Sequence, residues 1–132
     1  MKFLENYQEQ AYALLRITAG FMFLLHGTVK FFNFPQQYAY GELGFLIIVA
    51  GTVELVGGVL IILGLTTRAA AFFSSGTMAV AYWMYHGTPP FYPLVNGGEV
   101  AALFCFIFLL LLVKGPVFGA WITNNPNHHY GS

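Results

Sequence analysis

The chain has 132 residues, 58% of them hydrophobic and 8% charged, with five basic and five acidic side chains. Soluble domains carry about 45–50% apolar and about 25% charged residues, so a soluble enzyme and a disordered segment are both excluded. Five scattered cations make no nucleic-acid-binding surface, and a mass of 14.6 kDa with mean hydropathy +0.67 points to one small integral membrane domain with the lipid bilayer as its main partner.

A membrane-crossing helix needs about 20 mostly apolar residues. The leader MKFLENYQEQ carries two glutamates and no small-residue cleavage site follows, so no signal peptide is expected. The first span is predicted over residues 11–32 (AYALLRITAGFMFLLHGTVKFF) and the second over 43–65 (LGFLIIVAGTVELVGGVLIILGL). A third, over 69–86 (AAAFFSSGTMAVAYWMYH), follows a three-residue link that makes it the antiparallel neighbour of the second. The fourth stops at Gly115-Pro116, a helix terminator, but Val100–Val113 alone is fourteen residues. It must draw in part of 94–99 and so run over about 95–114, with Glu99 at or just below membrane depth. The expected architecture is all-α: a membrane four-helix bundle forming a single four-span domain over residues 1–132.

Lys2, Arg68 and Lys114 fall on one side with the deeper Arg16, against Lys30 alone on the other. Lys and Arg mark the cytoplasmic side, so both termini are expected there. Aromatic residues such as Phe31, Phe32, Trp83 and Tyr85 gather at the opposite end as an interfacial belt. Cys105 stands alone, which excludes an intramolecular disulfide and C-x-x-C thiol chemistry; it reads as a small buried hydrophobe.

The sequence also repeats. His26-Gly27-Thr28 returns as His86-Gly87-Thr88 at an offset of 60, and Gly41-Glu42-Leu43 as Gly98-Glu99-Val100 at an offset of 57. Two helical hairpins related as a parallel repeat would bring His26, Lys30, Glu42, His86 and Glu99 to one mouth of the bundle, away from the cytoplasm.

An ionisable residue at membrane depth costs about 2.5–3.5 kcal/mol on insertion scales, so each needs a partner or a task. At 100° per residue, Arg16, Ala19, Gly20, Phe23, His26, Gly27 and Lys30 form one stripe of the first span, expected to face the bundle interior. Glu54, flanked by Gly51, Gly57 and Gly58, is expected level with Phe21 and roughly 7 Å by helical rise from both Arg16 and His26. It reads either as an ion pair with Arg16 that locks two helices or as a proton-carrying carboxylate. Glu99 fits a capping box with Asn96 as N-cap, Glu42 a first-turn acid, and the histidines hydrogen-bonded core residues. Two His and two Glu without Glu-x-x-His spacing give no expected metal site. Flanking aromatics (Phe23, Tyr82, Tyr85, Phe91, Tyr92) with imidazoles and acids suit a flat ligand that loses protons, such as a quinone or hydroquinone.

The combination of HGTVK, ELVGGVLIILGLTTR and NGGE with a later GP, covering residues 16–116, resembles the DoxX family of small four-helix membrane proteins. The resemblance marks Arg16, His26, Lys30, Glu54, Arg68 and Glu99. It implies a prokaryotic cytoplasmic (inner) membrane protein akin to the quinone-linked subunit of a thiosulfate:quinone oxidoreductase and to proteins of catechol and methylhydroquinone tolerance. On that reading His26 or His86 accepts a proton, Glu99 and Glu42 orient or relay, Lys30 holds a ring oxygen, and Glu54 and Arg16 form the pocket floor beside Tyr82 and Phe23. The chain shows no flavin, dinucleotide or haem motif, so electrons would pass to a redox protein partner or to a bound metal. The alternatives are a non-catalytic accessory subunit or chaperone of a larger complex, or a proton-coupled exporter; a homo-oligomer fits any of them.

Overall fold

Runs of apolar residues with glycine or asparagine at their ends dictate where the helices start and stop. The computed structural model describes residues 2–38, 41–86 and 92–116, and all regular structure among them is helical. In chain order the elements are α1 (Lys2–Glu5), α2 (Gln8–Phe32), α3 (Phe45–Leu63), α4 (Thr67–Ala81), which runs into a π-helical turn (Tyr82–His86), α5 (Pro93–Asn96) and α6 (Glu99–Lys114). Two of them, α2 and α3, are long and apolar enough to cross a membrane.

Asn33 closes α2 in the left-handed conformation at φ 50°, and the Thr28 hydroxyl bonds the Leu25 and Phe34 carbonyl oxygens at 2.9 and 2.8 Å, binding the exit loop to the last turn. Gly64 closes α3 at φ 73°, its N–H bonded to Ile61 O and that of Leu65 to Leu60 O. Glycine adopts that backbone without Cβ strain, and the two bonds satisfy carbonyls a helix end otherwise orphans.

Helices occupy the stretches where spans were expected, with two differences in their limits. The third is continuous from Thr67 to His86, but its last turn widens to π geometry. The fourth does not extend back to residue 95: Gly97, left-handed at φ 75°, ends α5, and α6 starts at Glu99 with Gly98 as N-cap. Asn96 is therefore not the cap, and Glu99 occupies the first helical position rather than the third.

The most extensive packing pairs α2 with α3 and α4 with α6, and α3 also lies against α4. The backbones of α2 and α6 approach little; side chains bridge them instead. Phe23, fully buried, meets Phe108 edge-on at 4.7 Å between centroids and Phe104 at 5.9 Å. Ile61, Ala71 and Leu111 complete the fully buried apolar centre.

The two hairpins are only partly alike. At the offset of 57, buried Gly51 and Glu54 correspond to buried Phe108 and Leu111. At the offset of 60, buried residues of α2 map onto Phe72, Val80 and Trp83, which are exposed. The reason is the chain path: α4 packs between α3 and α6, whereas α2 rests chiefly on α3, so the two helices bury different faces.

Candidate functional site

The buried stripe of α2 comprises Tyr12, Arg16, Ala19, Gly20, Phe23 and Gly27. It meets a stripe of α3 made of Gly51, Glu54, Gly57, Gly58 and Ile61. Spacings of three and four residues put each set on one helix face. Glycines fix how the faces slide. A Cβ added at Gly58 would lie 2.9 Å from Gly20 O, one at Gly27 2.8 Å from Leu55 Cγ, and one at Gly51 2.7 Å from the Phe31 ring. That register sets Gly51 beside Phe31 and Lys30, and Gly20 beside Gly58.

The consequence is the central contact of the molecule. Lys30 Nζ donates to both oxygens of Glu54, at 2.9 Å to Oε1 and 2.7 Å to Oε2. The Glu54 side chain is 3% exposed and that of Lys30 is 14% exposed. The expected Glu54–Arg16 pair is thus corrected. Counting inward from predicted helix ends put Glu54 level with Phe21, but packing through the glycines moves α3 until Glu54 comes within reach of Lys30, about two and a half turns further along α2. Among the described residues this is the only ion pair.

Arg16 has another task. Its Nη1 donates to Ile61 O at 2.9 Å and to Ile62 O at 3.4 Å. These are carbonyls of the last turn of α3, where a helix lacks internal donors and carries partial negative charge. Arg16 therefore caps α3 from the neighbouring helix while remaining 6% exposed.

His26 does not join the interior stripe. It is exposed at the edge of α2, its ring perpendicular to Phe104 at 5.9 Å. Phe23 is core rather than pocket wall. Glu42 is exposed in the segment before α3, and Glu99 is exposed at the start of α6. Tyr82, half-buried on the π turn, packs edge-on to Trp83 at 5.5 Å. The His86 backbone ends that turn, but its side chain lies outside the described residues, as do Phe91 and the tail from 117. Of the five residues expected together at one mouth, Lys30 is the one that makes an ion pair among the described residues, and it makes it with Glu54, which was not among the five. Among the described residues no three His, Cys, Asp or Glu side chains gather as a metal would require.

Sequence reasoning missed Tyr12. Its hydroxyl donates to Gly115 O at 2.7 Å, and its ring lies 4.5 Å beneath Lys114 Nζ. This ties α2 to the end of α6. The signal was available in the stripe itself, since Tyr12 precedes Arg16 by one helical turn. An apolar groove of about 550 Å³ opens between α3, α4 and α6, walled by residues such as Leu46, Phe72, Val80, Met84, Leu109 and Leu112, with Ser75 as a polar point. Among the described residues no charged side chain lines it.

The DoxX family profile matches residues 11–87. An "Uncharacterized protein" of Haemophilus influenzae is 43% identical over 121 residues, covering 87% of this chain and 90% of that relative. A Bacillus subtilis protein named "Putative oxidoreductase CatD" is 39% identical over 59 residues, covering 42% of this chain and 44% of CatD. No solved structure matches the chain significantly.

Proposed function

The chain belongs to the DoxX family of small membrane proteins, and on that footing we propose that it is a four-span protein of a prokaryotic cytoplasmic membrane that binds a quinone or hydroquinone and handles its protons. The observation that carries this reading is the Lys30–Glu54 pair. A carboxylate with a 3% exposed side chain, joined to a lysine that keeps 14% exposure, is a charged donor–acceptor unit with one open edge. Groups of this kind inside a membrane usually mark ligand or proton paths. The oxidoreductase name of CatD agrees in kind, over the part of the chain it matches.

In this mechanism Lys30 Nζ donates to a ring oxygen of the ligand, loosening its hold on Glu54. Oxidation of a hydroquinone to a quinone releases two electrons and two protons. Glu54 takes one proton as its lysine partner turns to the ligand. His26, one turn below Lys30, takes the other. The electrons leave to a redox protein partner. Glu42 and Glu99 pass protons to water, His86 is a second imidazole for the same task, and Tyr82 with Phe23 and its aromatic neighbours shapes the apolar surround. Arg16 holds α3 in place below.

The test is binding of a short-chain ubiquinone analogue to the protein in nanodiscs, read by quenching of tryptophan fluorescence. Wild type is expected to bind, and Lys30→Met and Glu54→Gln each to weaken binding roughly tenfold or more. Absence of wild-type binding, or binding by both variants as tight as wild type, overturns the reading.

One observation favours a second reading, the non-catalytic accessory subunit. Lys30 satisfies both carboxylate oxygens at once, which is also how two helices are locked. That reading predicts that a Lys30→Met/Glu54→Leu double variant still co-purifies with its partner complex and supports its activity.

A further inference from the structure

Away from the Lys30–Glu54 pair, Lys114 and Arg68 gather around Gly115 and the Tyr12 side chain bound to it, with Arg16 one helical turn along α2. Tyr12 Oη binds Gly115 O at 2.7 Å, and Lys114 Nζ sits 4.5 Å above the Tyr12 ring. Arg68, from the first turn of α4, lies against Gly115 so closely that a Cβ there would be 2.8 Å from Nε and 3.2 Å from Nη2. Arg16 stands one helical turn from Tyr12 on the same buried face of α2.

Among the described residues none of these cations has a carboxylate partner. Arg16 spends Nη1 on the end of α3. Arg68 and Lys114 are exposed and bond no acceptor among the described residues. Two buried polar atoms next to them also lack a partner: Arg16 Nε, and Oγ1 of Thr67, whose residue is 1% exposed. Helix dipoles do not account for this surplus. The C-terminal charge of α3 is met by Arg16 and that of α6 by Lys114, which leaves Arg68 and the unpartnered donors over.

We propose that this junction binds the phosphodiester of an anionic lipid headgroup, with Arg68 and Lys114 as its direct ligands and Arg16 as the buried charge behind them. The chemistry fits on three counts. A guanidinium presents a planar fork that matches two phosphate oxygens, and an ammonium adds a point charge. Basic pockets between membrane helices on the cytoplasmic side take anionic headgroups in this way. The ligands also sit at helix ends, Lys114 as the last residue of α6 and Arg68 in the first turn of α4, with apolar residues such as Leu63, Leu65 and Val113 exposed nearby in the chain for acyl chains. This assignment is independent of quinone handling at the Lys30–Glu54 pair.

The experiment is native mass spectrometry of the full chain released from nanodiscs of equal phosphatidylglycerol and phosphatidylcholine. Wild type is expected to retain phosphatidylglycerol over phosphatidylcholine by roughly tenfold. Arg68→Gln/Lys114→Gln should abolish the preference, whereas Arg68→Lys/Lys114→Arg, which keeps both charges, should retain it. Loss in the charge-keeping variant as well would trace the effect to folding and overturn the assignment. So would equal retention of the two lipids by wild type, or an unchanged preference in the double glutamine variant. Added inorganic phosphate should not displace the lipid; displacement at millimolar phosphate would make the site one for a soluble anion.

Discussion

At the scale of single residues, the burial of charge decides what each substitution does. Removing Lys30 leaves the Glu54 carboxylate alone in a site where its side chain is 3% exposed, and stripping one partner from a buried pair costs about 3–5 kcal/mol. Lys30→Met should therefore lower unfolding stability in detergent by about that amount. Glu54→Gln should cost less, because a long lysine at the more open position can turn its ammonium to the interface. Replacing both, as in Lys30→Met/Glu54→Leu, should recover most of the loss, since a well-packed apolar pair of similar volume matches or exceeds a buried ion pair. Chemical or thermal denaturation of the four proteins reads this ordering. Tyr12→Phe removes one hydrogen bond of 2.7 Å to Gly115 and keeps the ring under Lys114; about 0.5–1.5 kcal/mol should be lost.

At the scale of elements, α2 and α3 are held in register by glycines. Gly58→Ala puts a methyl 2.9 Å from Gly20 O and from Leu24 N, both backbone atoms that cannot turn aside. The helices must part, at a cost of about 1–3 kcal/mol, and because the Lys30–Glu54 pair spans the same two helices its geometry should loosen too. Gly57→Ala meets the Ser74 hydroxyl at 2.8 Å, a side chain that can rotate, so its effect should be smaller. Gly76→Ala meets nothing within 4 Å and should be neutral or mildly stabilising. Melting temperatures of the three variants, measured in one detergent, check the order. Gly20, Gly27 and Gly58 were visible in the sequence as small residues on inward faces. Which glycine meets which neighbour was not, because a one-dimensional pattern gives the face of a helix but not its slide along a partner.

At the scale of the molecule, the chain folds as two unequal hairpins, α2 with α3 and α4 with α6, joined by contact of α3 with α4. The side left open between α2 and α6 is bridged by Phe23 with Phe104 and Phe108 and by Tyr12 with Gly115. In the proposed four-span arrangement the positions near residues 5, 66 and 116 share one compartment and those near 41 and 97 the other. Cysteine accessibility, with Cys105 replaced by serine and single cysteines introduced at Glu5, Thr66 and Gly41, should label the first two from the cytoplasmic side and the third from outside. Labelling of Glu5 and Gly41 from the same side would break the topology.

Composition alone determined that this chain belongs in a lipid bilayer, because 8% charged residues cannot solvate a surface. Helical periodicity determined which faces of α2 and α3 turn inward, and the motifs around His26, Glu54 and Gly98-Glu99 were enough to mark the DoxX family. Those properties are local in the sequence. Partner choice is not. Whether Glu54 meets Arg16 or Lys30 depends on how far α3 slides along α2, and that slide is set by where one glycine lets another backbone come close. The same holds for His26, which periodicity put within the stripe and packing left at its edge. Tertiary structure decided these pairings because helix-to-helix register is fixed by contacts between distant parts of the chain, each a matter of a single Cβ.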